Sequence, residues 1–126
     1  MSDCKKFNFS ESNGCSNIDI DYDWSVSCTD VDENDNPINL NGFTSEVIIK
    51  DKNDNILFTL VDVNDALTTG IYMPSPSSGE MFIQMMKADT STLSAGNYKY
   101  EWSLISPSGL SELFLFGYIH ATIGVF

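Results

Sequence analysis

From Ile18 to Cys28, apolar and polar side chains alternate without interruption. The even-numbered positions hold the apolar side chains: Ile18, Ile20, Tyr22, Trp24, Val26 and Cys28. The odd-numbered positions hold the polar ones: Asp19, Asp21, Asp23, Ser25 and Ser27. A period of two gathers apolar side chains on one face of a β-strand, whereas it would scatter them around a helix. The run therefore predicts one half-buried strand whose apolar face, including Trp24, points into a core.

Several further short apolar runs, each closed by turn residues, follow this strand. They predict strands at Thr44–Lys50, Ile56–Val61, Gly70–Met73, Glu80–Lys87, Asn97–Ile105 and Ser111–Val125, the last with a break at Gly117. Only 63–69 and 88–96 have room for a helical turn. We therefore expect an all-β, antiparallel β-sandwich of about seven strands over residues 17–126, preceded by a flexible N-terminal arm at residues 1–16.

The charge of the chain excludes several classes of partner. Its 18 acidic and six basic side chains give a net charge of −12. Nucleic acid and anionic membrane surfaces would repel such a protein, so we expect neither as a partner. No run reaches the roughly 20 apolar residues of a membrane span, and the N-terminal residues lack the apolar centre of a signal peptide, which predicts a protein made in the cytoplasm.

Residues that could perform catalysis or hold a cofactor are sparse. The three cysteines, Cys4, Cys15 and Cys28, form no C-x-x-C pair and lie far in sequence from the single histidine, His120, so we expect no zinc site and no other cofactor. A disulfide between Cys4 and Cys15 is the alternative to reduced cysteines. Glycosidases use a pair of carboxylates, and Asp21 and Asp23 could form such a pair. In a chain with 18 acidic residues such pairs are unavoidable, so they do not indicate catalysis. These observations predict that the protein is not an enzyme.

The acidic stretch DVDENDNPINLNG at 30–42 has two interpretations. Counted as an EF-hand loop from Asp30, it has Asp35 where glycine is needed and Asn41 where a bidentate glutamate is needed. We therefore expect a connection, with a turn at Asn36-Pro37 and Leu40 anchored in the core. The alternative is a calcium site formed by Asp30, Asp32 and Asp35, since loop carboxylates bind calcium without the complete motif.

Two segments resemble a known group of domains. They are DENDNPINLNGFT at 32–44 and LSAGNYKYEWSLISPSGLSELFLFGYI at 93–119. Their order and spacing are similar to those of small immunoglobulin-like domains in tailed-phage structural proteins, including the N-terminal domain of BppU-like baseplate proteins. Two features depart from the pattern: Asp35 replaces a usual glycine, and the first strand is acidic.

The resemblance implies an immunoglobulin-like sandwich that is a non-enzymatic structural component of a virion. Such a domain acts by protein–protein docking, either in capsid decoration or as an adaptor in the tail or baseplate. Its expected partners are other virion proteins, or further copies of the chain in a homo-oligomer. The alternative function, from a different class, is a calcium- or carbohydrate-dependent adhesion module.

The N-terminal arm is the predicted docking element. It places Lys5 and Lys6 beside Phe7 and Phe9, in a chain otherwise dominated by acids. On assembly, the two phenylalanines would pack against a neighbouring subunit while the lysines face acidic side chains.

Overall fold

The computed structural model describes residues 3–4, 16–32, 34 and 36–123. Within them, the chain forms nine strands: β1 (Asp3–Cys4), β2 (Ser16–Ile20), β3 (Trp24–Val31), β4 (Thr44–Lys50), β5 (Ile56–Val63), β6 (Gly70–Tyr72), β7 (Glu80–Met85), β8 (Gly96–Ile105) and β9 (Ser111–Ile123). Helical structure is confined to a 3-10 turn at Pro76–Ser78 and to α1 at Lys87–Thr90. None of the described helices is long and apolar enough to cross a bilayer. The predicted all-β class is confirmed.

The described strands form one sheet in the order β1-β3-β7-β6-β5-β4-β8-β9-β2. The sheet folds over into two layers, β3-β7-β6 and β5-β4-β8-β9-β2, and makes a nearly closed, barrel-like sandwich. Asp62 and Val63 join the layers by pairing with Ile71 and Tyr72. That pairing and the β2–β9 pairing are parallel, which corrects the expectation of a wholly antiparallel sheet.

The predicted strand from Ile18 to Cys28 is in fact two strands in different layers. β2 pairs with β9, β3 pairs with β7, and a turn at residues 21–23 separates them. Asp21 makes the turn possible with a φ of 75°, a left-handed conformation that aspartate tolerates better than most side chains. Tyr22 is consequently 47% exposed, although its parity predicts a buried position.

The core lies between the two layers and draws on both. Trp24 and Trp102 are buried, as the alternation predicts, and Leu40 anchors the loop before β4 at 1% exposure. Among the described residues, the other hydrophobic side chains with the least exposure are Ile18, Val47, Ile49, Ile71, Met81, Ile83, Met85, Tyr100 and Ile119. In β4 and β8, the alternation within a single strand points one set of side chains into this core.

Two smaller predictions are wrong for local reasons. β9 continues through Gly117 instead of breaking there; Gly117 lies opposite the buried Tyr100 of β8, where a residue without a side chain leaves room for a ring. The segment 63–69 forms no helical turn, because Asp65 Oδ1 accepts hydrogen bonds from the backbone N–H of Leu67 and the hydroxyl of Thr68. The second candidate, 88–96, does contain most of α1.

Candidate docking surface

Exposed apolar side chains concentrate in one layer of the sandwich. Among the described residues, nine large hydrophobic side chains are exposed, and six of them belong to β5 or β9: Ile56, Leu57, Val61, Phe116, Tyr118 and Ile123. β4 and β8 lie between these two strands in the same layer. We call the outer surface of β5, β4, β8 and β9 the β5–β9 face.

The middle of the β5–β9 face is charged. Lys50 Nζ lies 3.6 Å from Glu101 Oε2, and Lys99 Nζ lies 3.1 Å from Asp54 Oδ1. Exposed ion pairs of this kind contribute at most about 1 kcal/mol to folding. These two ion pairs therefore contribute more to solubility than to stability. The face therefore consists of two apolar margins on either side of a hydrated centre.

The β9 margin contains a shallow depression. Glu101 lies opposite Phe116 and Lys99 lies opposite Tyr118, and these side chains surround about 250 Å³ above Gly117. The two exposed rings are of the residue types that are enriched in protein interfaces, whereas lysine and glutamate are depleted there. A single apolar side chain of a partner fits a depression of this size.

A second concavity lies on the outer surface of the other layer. It has a volume of about 320 Å³, and its walls include Tyr72, Phe82 and the loop residue Leu67. The rings of Tyr72 and Phe82 are 6.4 Å apart and tilted by 33°. Gln84 forms part of the floor and fixes the loop over it, since its Nε2 donates to the carbonyl oxygens of Asp65 and Thr68 at 2.7 and 2.8 Å. The sequence does not predict this groove. The strand that contains Gln84 has the composition of a core strand, and nothing in it indicates that the polar Gln84 side chain binds a loop.

The three aspartates of the calcium alternative have different positions. Asp30 is buried on β3, while Asp32 shapes the next turn by accepting backbone N–H bonds from Asn34 and Asn36 at 2.8 and 3.0 Å. Asp35 lies outside the described residues. In the part of the chain that the structure describes, no group of three or more His, Cys, Asp or Glu side chains could hold a metal ion. Calcium binding that involves Asp35 stays a prediction.

A sequence signal for this turn exists elsewhere in the chain. The pattern D-x-N-D-N at 32–36 recurs at 51–55. In the second copy, Asp51 Oδ1 accepts N–H bonds from Asn53 and Asn55 at 2.8 and 3.0 Å, and Asp54 has a left-handed φ of 65°. Asp32 and Asp51 thus accept equivalent backbone bonds, and the turn at Asp51 joins the paired strands β4 and β5, which supports the interpretation of the acidic stretch as a turn.

Asp51 also has a clearly shifted pKa. The backbone N–H of Asn55 lowers the pKa of Asp51 below its ordinary value of 3.8, with further lowering by the Asn55 side chain, the Asn53 N–H and the charge of Lys52. These hydrogen bonds favour the ionised carboxylate. The carboxylate acts here as a structural acceptor within the loop.

The residues considered for catalysis are His120 on β9 and the acids Asp21 and Asp23 between β2 and β3. His120 is exposed on β9, where its Nδ1 lies 2.6 Å from Asn97 Oδ1 across the β8–β9 pairing. Asp21 and Asp23 lie in the turn between β2 and β3, and Asp23 Oδ1 accepts the backbone N–H of Lys87. The hydrogen bonds that the structure shows for His120 and Asp23 thus go to different partners.

The predicted docking arm is largely beyond the described residues. Lys5, Lys6, Phe7 and Phe9 are not described, nor is Cys15 of the Cys4–Cys15 alternative. The short β1 before them pairs with Val31 and Asp30 of β3, and β2 after them pairs with β9. The docking role of the arm stays a prediction.

No protein-family model matches this chain, and no curated protein sequence matches it. A proposal of function therefore rests on the exposed apolar side chains of β5 and β9, on the strand order, and on the resemblance of residues 32–44 and 93–119 to a known group of domains.

Proposed function

We propose that this protein is a non-enzymatic structural component of a tailed-phage virion, made in the host cytoplasm, which acts by docking onto other virion proteins. The observation that carries the proposal is the concentration of exposed apolar side chains on β5 and β9. Exposed apolar patches on a folded domain mark interaction surfaces. The place of the module is the capsid surface, as a decoration protein, or the tail or baseplate, as an adaptor.

The strand order supports an immunoglobulin-like fold, the fold of the resembling phage domains. In such sandwiches, strands B, E and D form one layer, C, F and G form the other, and variable-type domains add C′ beside C. The order here fits that plan with β3, β7 and β6 as B, E and D. β4, β8 and β9 then correspond to C, F and G, and β5 corresponds to C′.

A local hydrogen bond adds to this support. Immunoglobulin-like domains carry a tyrosine near the start of strand F whose hydroxyl bonds to the backbone a few residues upstream. Tyr98, near the start of β8, donates such a bond to the carbonyl oxygen of Ser94 at 2.6 Å. Antibody domains have a disulfide cysteine two residues later, where this chain has Tyr100, so the proposed relationship is to disulfide-free members of the fold.

Incorporation into particles tests the proposal. Phage particles assembled with the protein should contain it by mass spectrometry and should retain it through density-gradient purification. The double variant Phe116→Ser/Tyr118→Ser removes the β9 aromatic pair and should lower incorporation, because both side chains are exposed and contribute little to the core. Leu110→Ser is the matched control, since Leu110 is 69% exposed outside the strands. Absence of the protein from purified particles would refute the proposal.

The arm has its own test within the same assay. Deletion of residues 2–14 removes Lys5, Lys6, Phe7 and Phe9 while leaving β2 to β9 in place. If the arm docks on neighbouring subunits, the truncated protein, which also loses the two-residue pairing of β1 with β3, should stay folded and fail to enter particles. Normal incorporation of a folded, truncated protein would show that the arm has no docking role.

A second candidate function, carbohydrate-dependent adhesion, is favoured by the groove on the β3-β7-β6 layer. Its aromatic walls and polar floor match the usual make-up of small-ligand sites, which span about 300–1,000 Å³. Screening of the purified protein on a glycan array tests this function. Retention that Phe82→Ala abolishes and Phe116→Ala leaves intact would assign adhesion to the groove, and no retention would exclude it.

A further inference from the structure

The turn before β4 is built around an Asn-Gly pair, Asn41-Gly42. The Phe43 N–H donates to the Leu40 carbonyl oxygen at 3.0 Å, and Gly42 has a φ of 84°. This is a β-turn of the type that needs a positive φ at its third residue, where glycine is preferred. A Cβ on Gly42 would also lie 2.9 Å from Cγ of Pro107, in the turn between β8 and β9. The fold therefore requires a residue without a side chain directly after Asn41.

The Asn41 carboxamide and the peptide nitrogen of Gly42 are both accessible to solvent. Asn41 and Gly42 are exposed. The turn is held by other groups, since the Asn41 N–H donates to Asn39 Oδ1 at 2.9 Å and the Phe43 N–H closes the turn. In the part of the chain that the structure describes, neither the Asn41 carboxamide nor the Gly42 N–H has a hydrogen-bond partner. Both groups are thus available for reaction.

These two groups are the reactants of an intramolecular deamidation. The Gly42 nitrogen attacks the side-chain carbonyl carbon of Asn41, and the new C–N bond closes a cyclic imide. The side-chain amide leaves as ammonia and takes the proton that the Gly42 nitrogen loses. Water then opens the ring, which gives aspartate when water adds at the former side-chain carbonyl and isoaspartate when it adds at the main-chain carbonyl of residue 41. Water is consumed, ammonia is released, and no oxidant or reductant is needed.

We propose that Asn41 is a site of spontaneous deamidation in the folded protein, and that the modification loosens the turn before β4. Isoaspartate adds a carbon atom to the main chain between Leu40 and Phe43. Leu40 is only 1% exposed and Phe43 packs against the core, so a longer main chain has to displace one of these two anchors. Because the reaction needs only water, it is independent of the proposed docking role.

Ageing of the purified protein in mildly alkaline buffer, followed by tandem mass spectrometry, tests the site. Chymotryptic cleavage after Trp24 separates Asn41 from the other Asn-Gly pair of the sequence, at 13–14, and an unaged sample corrects for conversion during digestion. Asn53 is the internal control, because it is also exposed in a loop but precedes Asp54. Asn41 should convert to acid at least about tenfold faster than Asn53, since glycine leaves the attacking nitrogen unshielded. Conversion of Asn41 no faster than that of Asn53 would overturn the proposal.

Two variants separate the added charge from the change in the main chain. Asn41→Asp adds the same charge without lengthening the backbone, so fresh Asn41→Asp protein should melt close to wild type. Aged wild-type protein should melt at a lower temperature than fresh Asn41→Asp, by an amount that grows with its isoaspartate content. Asn41→Gln removes the reactive side chain, and its melting temperature should not change on ageing. An equal loss of stability in aged Asn41→Gln would assign the change to another residue and would overturn the proposed effect on the turn.

Discussion

The hydroxyl of Tyr98 bridges both main-chain groups of Ser94, since it donates to the Ser94 carbonyl oxygen at 2.6 Å and accepts the Ser94 N–H at 3.2 Å. The tyrosine thereby closes the connection between α1 and β8 onto the strand that follows. Tyr98 is only 8% exposed and belongs to the core, while its hydroxyl reaches the Ser94 main chain. The bridge links packing of the core to the shape of a surface loop.

Tyr98→Phe should lower the free energy of unfolding by about 1 kcal/mol, because it removes the hydroxyl while keeping the buried ring. Urea denaturation measures the change. Tyr118→Phe on the neighbouring β9 is the control, since Tyr118 is 59% exposed and its loss of a hydroxyl should leave stability unaltered. Equal effects of the two substitutions would mean that the Ser94 bridge contributes nothing.

Gly79 and Gly109 both have left-handed backbones, with φ of 71° and 90°, but their surroundings differ. A Cβ on Gly79 would lie 2.5 Å from the carbonyl oxygen of Asp30, whereas a Cβ on Gly109 would meet nothing within 4 Å. Gly109→Ala should cost about 1 kcal/mol from backbone conformation alone. Gly79→Ala should cost roughly 1–3 kcal/mol more, because the backbone of β3 has to move. Thermal denaturation of the pair separates conformational strain from steric contact, and equal losses would contradict the close approach.

The lowered pKa of Asp51 predicts a pH-dependent contribution to stability. Its folded-state pKa lies below the ordinary value of 3.8, because N–H groups of Asn55 and Asn53 stabilise the carboxylate. The contribution is fully present above the unfolded-state pKa, and it disappears as the pH falls through the lower folded-state value. Asp51→Asn should therefore lower the melting temperature at neutral pH, with the difference from wild type shrinking below about pH 4. A difference that is constant from pH 7 to pH 2 would show that the charge has no role.

Sequence periodicity predicts the strands well wherever a strand begins and ends within one layer. β4 was placed at its observed bounds, since Val47 and Ile49 alternate with half-buried residues and turns flank the segment. The failure at 18–28 has a physical cause: a three-residue turn hides within a period of two, because Tyr22 keeps the apolar parity while pointing to solvent. The alternation shows which side chains are apolar, but it does not show where the chain crosses from one layer of the sandwich to the other.

The candidate surfaces were less predictable for the same reason. Phe116 and Tyr118 have the composition of a buried strand, and only the pairing of β9 within its layer shows that their rings face outward. The layer in which β5 lies depends on which strands pair, and the pairing of β4 with β8 across some 50 residues is set by long-range packing. In contrast, the recurrence of D-x-N-D-N at 32–36 and 51–55 is a local sequence signal, because the first aspartate of each copy accepts backbone N–H bonds from both asparagines.

Asp21 and Asp23 are only two residues apart in the turn between β2 and β3, yet their substitution should have opposite effects. Asp21 has a φ of 75° and no stabilising hydrogen bond of its side chain is described, whereas Asp23 Oδ1 accepts the Lys87 N–H at the start of α1 at 2.6 Å. Asp21→Asn removes repulsion from neighbouring acids and retains a side chain that tolerates the left-handed backbone, so it should raise stability by a few tenths of a kcal/mol. Asp23→Ala should lower stability by about 1 kcal/mol, because it leaves the first turn of α1 without its acceptor.

Chemical denaturation of both variants at low and high salt distinguishes the two mechanisms. The gain from Asp21→Asn should shrink at high salt, because screening already weakens the repulsion between carboxylates in the wild-type protein. The loss from Asp23→Ala should persist, since a 2.6 Å hydrogen bond between a carboxylate and a backbone N–H is less sensitive to screening than repulsion between exposed charges. If calcium were held by these aspartates, both substitutions would destabilise the protein when calcium is added and neither would do so in its absence. Opposite signs without calcium would instead establish the turn as a structural link between β2, β3 and α1.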